Sequence, residues 1–407
     1  MKKPVTTHLE LLVPAGDLEK LTTAIRFGAD AVYLGAGAFG LRANAGNFSL
    51  AELRQARVLT GAAGVRLYLT LNASLLPGEF GALTDLLEEL RPLDLDAYIV
   101  ADPGVLAQVR QVDPQRTIHI STQANTCNPA AAEFWRRNGA DRVNLARELT
   151  LDEIRAFAAG TGMELECFVH GAMCVAHSGR CLLSAALLNR SANRGDCAQP
   201  CRWNYALVEE KRPGEIMDFE QDARGSYVFN SRDLCLIEQL PLLAAAGVDS
   251  FKIEGRMKSI YYVAAVTRIY RAALDRIRAG DEGYEPRWRE ELEMVSHRPY
   301  DSGFLFGRED AKVHPHDTHY LRSTDFIGVV RADADGLYIE GRNRFLPGEE
   351  VELIGPAMRQ QHFLLERIVD LQGNELAVSQ PNAQVRLALP DWAQAGDLLR
   401  RPRQQPS

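Results

Sequence analysis

The chain has 407 residues, of which 46% are hydrophobic and 25% are charged. This composition is typical of a globular protein, and it excludes a disordered, a collagen-like or a disulfide-dense secreted chain. The formal net charge of −8 argues against a surface that coats nucleic acid generally, although a local basic site remains compatible with it. Apolar runs are broken before the roughly 18 residues that a bilayer span needs. The N-terminal segment has no signal-peptide core, so we expect a cytoplasmic protein that does not contact a membrane.

Short apolar strands alternate with amphipathic helices through the first two-thirds of the chain. Capping boxes start two of the helices, at Ser49 with Glu52 and at Thr150 with Glu153. The strands are apolar on both faces, as in a parallel sheet. Eight such units favour an α/β fold of the closed, TIM-like (β/α)8 type over an open doubly wound sheet. The predicted strands are 9–13, 31–34, 65–71, 97–100, 117–120, 143–145, 165–169 and 250–253.

The last two predicted strands are separated by about 80 residues, where a normal unit needs roughly 30. An insertion after a barrel strand emerges on the catalytic face, so this one is expected to cover the barrel mouth. Beyond residue 325, short strands alternate with glycines, which is typical of a small all-β domain. We therefore predict a barrel over 1–285 with a cysteine-rich insertion at 170–249, a connecting segment at 286–324 and a β-barrel-like domain at 325–407.

The insertion contains five of the seven cysteines, Cys174, Cys181, Cys197, Cys201 and Cys235. Thiolates are soft ligands, and four of them suit tetrahedral zinc or an iron–sulfur cluster. The spacing is wider than the paired CxxC of a zinc ribbon, which favours a cluster held by several loops. The alternatives are a zinc site and a set of reduced structural cysteines.

Several segments resemble the collagenase-like family known as the U-thirty-two peptidases. The main one, 166–184, reads ECFVHGAMCVAHSGRCLLS, and further similarity lies in PAG at 14–16, ADAVYLG at 29–35 and KIEGR at 252–256. The resemblance covers essentially the whole chain. It implies an oxygen-independent RNA hydroxylation protein that carries a [4Fe-4S] cluster. The most similar branch converts the wobble uridine of tRNA to 5-hydroxyuridine with prephenate as co-substrate.

The same resemblance implies the partners and the ligands. The partners are the tRNA anticodon loop, a small dicarboxylate metabolite and an electron donor protein. The cluster ligands fall on Cys174, Cys181, Cys197 and Cys201, with Cys235 as the alternative fourth ligand. Other branches of the family imply a ribosomal RNA cytidine hydroxylase or a ubiquinone-precursor hydroxylase.

Candidate catalytic residues lie at the predicted barrel mouth. Arg42 follows a glycine loop after the second strand, and its planar guanidinium suits a carboxylate; a solvated surface arginine is the alternative. Lys252 and Glu254 share one side of the last strand, and Arg256 follows them; a structural ion pair is the alternative. His170 follows the seventh strand beside the cysteines.

Weaker candidates are His119, Ser121 and Gln123 after the fifth strand, and Trp203 and Tyr205, which could stack on a base or pack within the insertion.

A peptidase, as the family name suggests, is a further alternative. The sequence has no HExxH zinc motif and no GxSxG nucleophile elbow. A Cys174–His dyad would use a thiolate that the metal site needs, so the two proposals exclude each other. A zinc-stabilised RNA-binding module is also compatible with the sequence.

Overall fold

The structure is a computed structural model that describes residues 9–41, 47–174, 176–203, 221–222, 225–226, 232–281, 283–307 and 321–403. The strands that precede the C-terminal sheet are β1 (Glu10–Pro14), β2 (Ala31–Gly35), β3 (Arg66–Leu71), β4 (Ala97–Val100), β5 (Thr117–Ile120), β6 (Arg142–Asn144), β7 (Glu164–Ala172), β8 (Gln221–Asp222), β9 (Gly225–Ser226), β10 (Asp233–Cys235), β11 (Ser250–Ile253) and β12 (Tyr300–Asp301). The helices are α1 (Leu18–Arg26), α2 (Leu50–Ala63), α3 (Phe80–Leu90), α4 (Pro103–Val112), α5 (Pro129–Arg137), α6 (Leu151–Gly160), α7 (Leu183–Leu188), α8 (Leu240–Ala245), α9 (Ile260–Arg278) and α10 (Pro286–Met294).

Eight parallel strands close into a barrel, which confirms the predicted fold class. Strands β1 to β7 pair in sequence order, and β11 pairs with both β1 and β7 to close the ring. Helices follow the strands and cover their outer faces in one large hydrophobic core. The two predicted capping boxes are present, at Ser49 with Glu52 and at Thr150 with Glu153.

The barrel interior has an apolar part and a charged part. Alternate residues of each strand point inwards. The apolar part is made by Leu12, Ala31, Tyr33, Tyr68, Ala97 and Ile99. The charged part contains Glu10, Arg142, Glu166 and Lys252, each at most 4% exposed. Buried charges need partners, and these four groups are joined by ion pairs across the barrel.

Two further strands extend the barrel sheet, one from the long insertion and one from the segment after α10. Strand β7 continues past the barrel to Ala172, and β10 returns antiparallel to this extension, with His170 opposite Cys235. Strand β12 then pairs in parallel with β10. The sheet therefore has ten strands, and the chain leaves β7 after Ala172 on the C-terminal face of the barrel.

The C-terminal part is a seven-stranded antiparallel sheet with its own hydrophobic core. Its strands are β13 (Thr324–Asp333), β14 (Gly336–Gly341), β15 (Glu350–Ile354), β16 (Gln360–Leu364), β17 (Val369–Asp370), β18 (Gln384–Arg386) and β19 (Leu398–Pro402). In β19, the buried Arg400 pairs with Glu291 of α10 and with Glu352 of β15. The sheet is thereby tied to the barrel. No helix in the described part of the chain is long and apolar enough to cross a membrane.

Candidate functional site

Four of the predicted ligands, Cys174, Cys181, Cys197 and Cys201, line one cavity of about 110 Å³. Cys174 follows β7, Cys181 precedes α7, and the other two lie in the loop after α7. The seven cysteines of the chain are all within described ranges, and all are free thiols. The fold therefore gathers sulfur atoms that are up to 27 residues apart (201 − 174 = 27) around a single space.

Backbone amides donate to two of these sulfurs. Leu183 N–H donates to Cys181 Sγ and Gln199 N–H donates to Cys197 Sγ, each at 3.4 Å. Such donors stabilise thiolate charge and are one of the features that tune iron–sulfur clusters. Across the described ranges, no three His, Cys, Asp or Glu side chains converge closely enough to hold one mononuclear ion. Four thiols around one cavity match the donor set of an iron–sulfur cluster, which cysteine thiolates hold.

Polar contacts fix the loops that carry the cysteines. Glu148, in the turn after β6, accepts hydrogen bonds from Ser178 N–H at 2.5 Å and from Ser178 Oγ at 3.0 Å. Ser178 is buried and has a left-handed backbone with φ of 46°. Asn193 accepts a hydrogen bond from Cys181 N–H at 3.1 Å. These contacts hold the loop between Cys174 and Cys181 against the barrel.

Cys235 and His170 do not line this cavity. Cys235 is buried, with Sγ 4.0 Å from the Tyr270 hydroxyl, and burial raises the pKa of its thiol. The His170 ring lies among Tyr262, Tyr270 and Tyr300, and burial lowers its pKa well below the usual value, so the ring is neutral. Because β7 extends to Ala172, both residues lie in the pairing between β7 and β10, where Cys235 is opposite His170.

A second cavity, of about 100 Å³, occupies the barrel mouth. Three predicted residues, Lys252, Glu254 and Arg256, line it together. It shares four lining residues with the cysteine cavity, namely Leu41, Thr122, Gln123 and Arg147. The two cavities are therefore adjacent, and these four residues separate them.

The charged groups of the mouth are held by specific contacts. Lys252 Nζ donates to Glu166 Oε1 at 2.7 Å, and burial lowers the pKa of the lysine, with Glu166 opposing. Arg256 Nη1 donates to Thr70 Oγ1 at 3.3 Å. A Cβ at Gly35 would lie 2.2 Å from Arg256 Nη1, so the glycine at the end of β2 makes room for this guanidinium. The guanidinium of Arg147 lies over the Phe168 ring, 4.0 Å from its centre.

The other predicted residues fall in different places. Ser121 and Gln123 line the mouth cavity, whereas His119 is buried near the strand starts at the opposite end of the barrel. Trp203 is 43% exposed, two residues after Cys201. Arg42 and Tyr205 lie outside the described residues.

Sequence reasoning missed Arg147, Asn72 and Asn144, which also line the mouth. No motif marks them. The available signal was position: Asn144 ends β6, Asn72 directly follows β3, and Arg147 lies three residues beyond β6, where active-site residues of this fold collect.

The fold and the site together define the class of protein. It is a (β/α)8 barrel with a cysteine-lined cavity at its mouth and a small all-β domain after it. The chain belongs to peptidase family U32, which it matches over residues 16–315, and it matches the C-terminal domain of that family over residues 322–400. It is 38% identical to tRNA hydroxylation protein P1 of Bacillus subtilis, over 94% of this chain and 92% of that protein. It is 33% identical to tRNA hydroxylation protein P of Escherichia coli, over 91% of each. It is also 30% identical to a collagenase of Porphyromonas gingivalis, over 94% of each.

Proposed function

We propose that this chain hydroxylates tRNA, converting the wobble uridine to 5-hydroxyuridine with a [4Fe-4S] cluster and prephenate, and without molecular oxygen. The names of the two relatives that act in tRNA hydroxylation support the reaction class. The observation that carries the proposal is the arrangement of four cysteines around one cavity that shares a wall with a charged barrel mouth.

Cys174, Cys181, Cys197 and Cys201 would hold the cluster, which when bound supplies one-electron redox chemistry. An electron donor protein is part of this proposal, because a cluster that does one-electron chemistry would need a partner that returns it to its reduced state. The amides of Leu183 and Gln199 already point at two of the sulfurs and would stabilise the negative charge of the thiolates. Cys235 would remain a core residue, since its sulfur faces Tyr270.

The barrel mouth would hold the dicarboxylate metabolite. Arg147 and Arg256 line it and are the cations best shaped for carboxylates, because a planar guanidinium can donate to both oxygens.

The anticodon loop of tRNA is single-stranded, so its bases can be unstacked and turned into a pocket. Trp203 is exposed beside the cysteine cavity and offers a face on which such a base can stack. The basic segment from 168 to 205, with four arginines and one aspartate, suits the phosphates around that base.

Analysis of anaerobically purified protein tests the cofactor. We expect a brown protein with about four iron atoms and four sulfides per chain. A colourless protein with one zinc ion per chain would contradict the cluster and favour a zinc-stabilised RNA-binding module.

Nucleoside mass spectrometry tests the reaction. The gene is expressed in a host that lacks both its own protein of this kind and any oxygen-dependent route to the same nucleoside. We expect 5-hydroxyuridine derivatives in tRNA to return with the wild-type chain and not with Cys181→Ser. Unchanged tRNA with new 5-hydroxycytidine in ribosomal RNA would assign the chain to the ribosomal branch. Cleavage of denatured collagen by iron-free protein would instead support a peptidase.

A further inference from the structure

Lys252 occupies an unusual position for a lysine. It lies on β11, is 4% exposed, and lines the mouth cavity. Its ammonium contacts Glu166 at 2.7 Å and lies over the rings of Tyr33 and Phe168, 4.5 Å and 5.3 Å from their centres. A lysine buried in a cavity, with a carboxylate beside its nitrogen that can take a proton, has the surroundings that a nucleophilic amine needs.

A second observation points to a ligand at the same place. Asn144 is 2% exposed and lines the mouth cavity beside Lys252. Its Nδ2 donates to Glu166 Oε1 at 2.8 Å, which fixes the orientation of the amide. Its Oδ1 is buried and has no hydrogen-bond partner among the described residues. A buried acceptor left in this state is costly, so a ligand that brings a donor to this point would satisfy it.

We propose that Lys252 captures the ketone of a small α-keto acid as an imine, with Arg256 or Arg147 binding the neighbouring carboxylate. An α-keto acid matches the site because its carbonyl and its carboxylate are adjacent, as are the lysine and the arginines around this cavity. The addition intermediate carries a hydroxyl group, which is the donor that Asn144 Oδ1 lacks. This inference rests on the proposed function and deepens it by giving Lys252 a covalent role towards the keto group of the metabolite in the mouth.

The chemistry balances without an oxidant or a reductant. The ammonium of Lys252 passes one proton to Glu166, and the freed nitrogen lone pair forms a bond to the ketone carbon while the carbonyl π pair moves to oxygen. The oxygen then leaves as water, carrying two of the three original ammonium protons. The third proton stays on the iminium nitrogen. The iminium is an electron sink that activates the bonds next to the former ketone carbon.

The electrostatics of the site support this role. Burial lowers the pKa of Lys252, Glu166 opposes that effect, and Arg142 and Arg147 reinforce it. Lys252 therefore loses a proton to form the neutral amine more readily than an exposed lysine does.

Reductive trapping tests the proposal on the full chain. The purified protein is incubated with pyruvate and cyanoborohydride, and the products are analysed by intact mass and by peptide mapping. We expect one adduct per chain, with the mass of pyruvate less water plus two hydrogens, located on Lys252. Acetone, which lacks the carboxylate, should label Lys252 at least about tenfold more slowly if one arginine–carboxylate contact is lost.

Two variants control the experiment. Lys252→Arg keeps the positive charge beside Glu166 and should abolish the adduct. Lys258→Arg changes a nearby lysine that contacts the carbonyl of Ser296 and should leave the labelling unchanged. Absence of an adduct on the wild-type chain, or labelling spread equally over several lysines, would overturn the proposal.

The outcome does not depend on the folding of a variant, because peptide mapping locates the adduct on the wild-type chain. The assay uses neither tRNA nor iron, so its failure is distinguishable from failure of the hydroxylation proposal.

Discussion

At the scale of single residues, Glu10 is the centre of the charged barrel interior. Its carboxylate is 1% exposed and accepts hydrogen bonds from Tyr68 and Ser250, each at 2.7 Å. It also pairs with Arg142 and with Arg66. Burial alone would raise the pKa of Glu10, but the two arginines outweigh it and lower the pKa to about 2. The carboxylate is therefore ionised inside the barrel at neutral pH.

Replacement of Glu10 by Gln should destabilise the protein in a pH-dependent way. A folded-state pKa of about 2 against 4.5 is equivalent to about 3 kcal/mol of stability at neutral pH. That contribution is complete above pH 4.5 and is lost as the pH falls towards 2, leaving about 1.5 kcal/mol at pH 3. The difference in the free energy of unfolding between wild type and Glu10→Gln, measured in urea, should shrink between pH 7 and pH 3. Glu89→Gln, which changes an exposed acid on α3, is the control, and a difference independent of pH would refute the assignment.

The choice between Cys201 and Cys235 as fourth ligand is also a single-residue question. Cys201 lines the cavity with the other three cysteines, whereas Cys235 is enclosed against Tyr270. We expect Cys201→Ser to lose most of its iron and its brown absorbance, and Cys235→Ser to retain both. The measurement is iron per chain and the visible spectrum after anaerobic purification. Full iron content in Cys201→Ser, with loss in Cys235→Ser, would reverse the ligand assignment.

At the scale of elements, the loop between β7 and α7 depends on Glu148. This loop carries Cys174 and Cys181, and Ser178 within it has a left-handed backbone that its own sequence does not favour. The two hydrogen bonds to the Glu148 carboxylate compensate for that conformation.

In Glu148→Gln, the loop should open more readily. Hydrogen bonds to a charged group are each equivalent to about 1.5–3 kcal/mol, so amide exchange over residues 176–180 should accelerate by about tenfold to a hundredfold. Hydrogen–deuterium exchange with mass spectrometry measures this directly. Asp152→Asn, an exposed acid on α6 that pairs with Arg155, is the matched control. Unchanged exchange in the first variant would show that the loop holds its shape without Glu148.

At the scale of the whole molecule, the barrel and the C-terminal sheet are joined through buried ions. Glu291 of α10 pairs with Arg268 of α9 at 2.6 Å and with Arg400 of β19 at 2.7 Å. Burial would raise the pKa of Glu291, yet the two arginines lower it to about 2. Both arginines are at most 1% exposed, so loss of the carboxylate leaves two buried cations without this partner.

Glu291→Ala should destabilise the protein by about 3–5 kcal/mol, the usual cost of removing one partner of a buried ion pair. We expect a lower unfolding midpoint, measured by circular dichroism in denaturant. Glu293→Ala removes an exposed acid from the same helix, and its effect should stay within about 0.5 kcal/mol. Equal midpoints for the two variants would mean that the joint between the two parts does not depend on Glu291.

Much of the architecture follows from sequence alone. Hydrophobic residues repeat with different periods in strands and in helices, and this alternation recurs in each strand–helix unit of the barrel. The eight barrel strands and both capping boxes were predictable for this reason. The surroundings of His170 were not, since nothing local shows that β7 continues and that β10 returns onto it. The cysteine spacing predicts a shared site, but which of Cys201 and Cys235 faces the cavity depends on that same long-range pairing. Arg147 and Asn144 became visible only when separate strands were brought to one mouth.

The closure of the barrel by β11 constrains the order of events during synthesis. Ribosomes make the chain from the N-terminus, so the four cysteines at positions 174 to 201 are made before residues 250–253. Until those four residues add their strand between β1 and β7, the ring has a gap. The cysteines are thus made at a stage when the strand that carries Lys252 has yet to be translated. Any chaperone or metal carrier that acts during translation meets a barrel that still lacks its last strand.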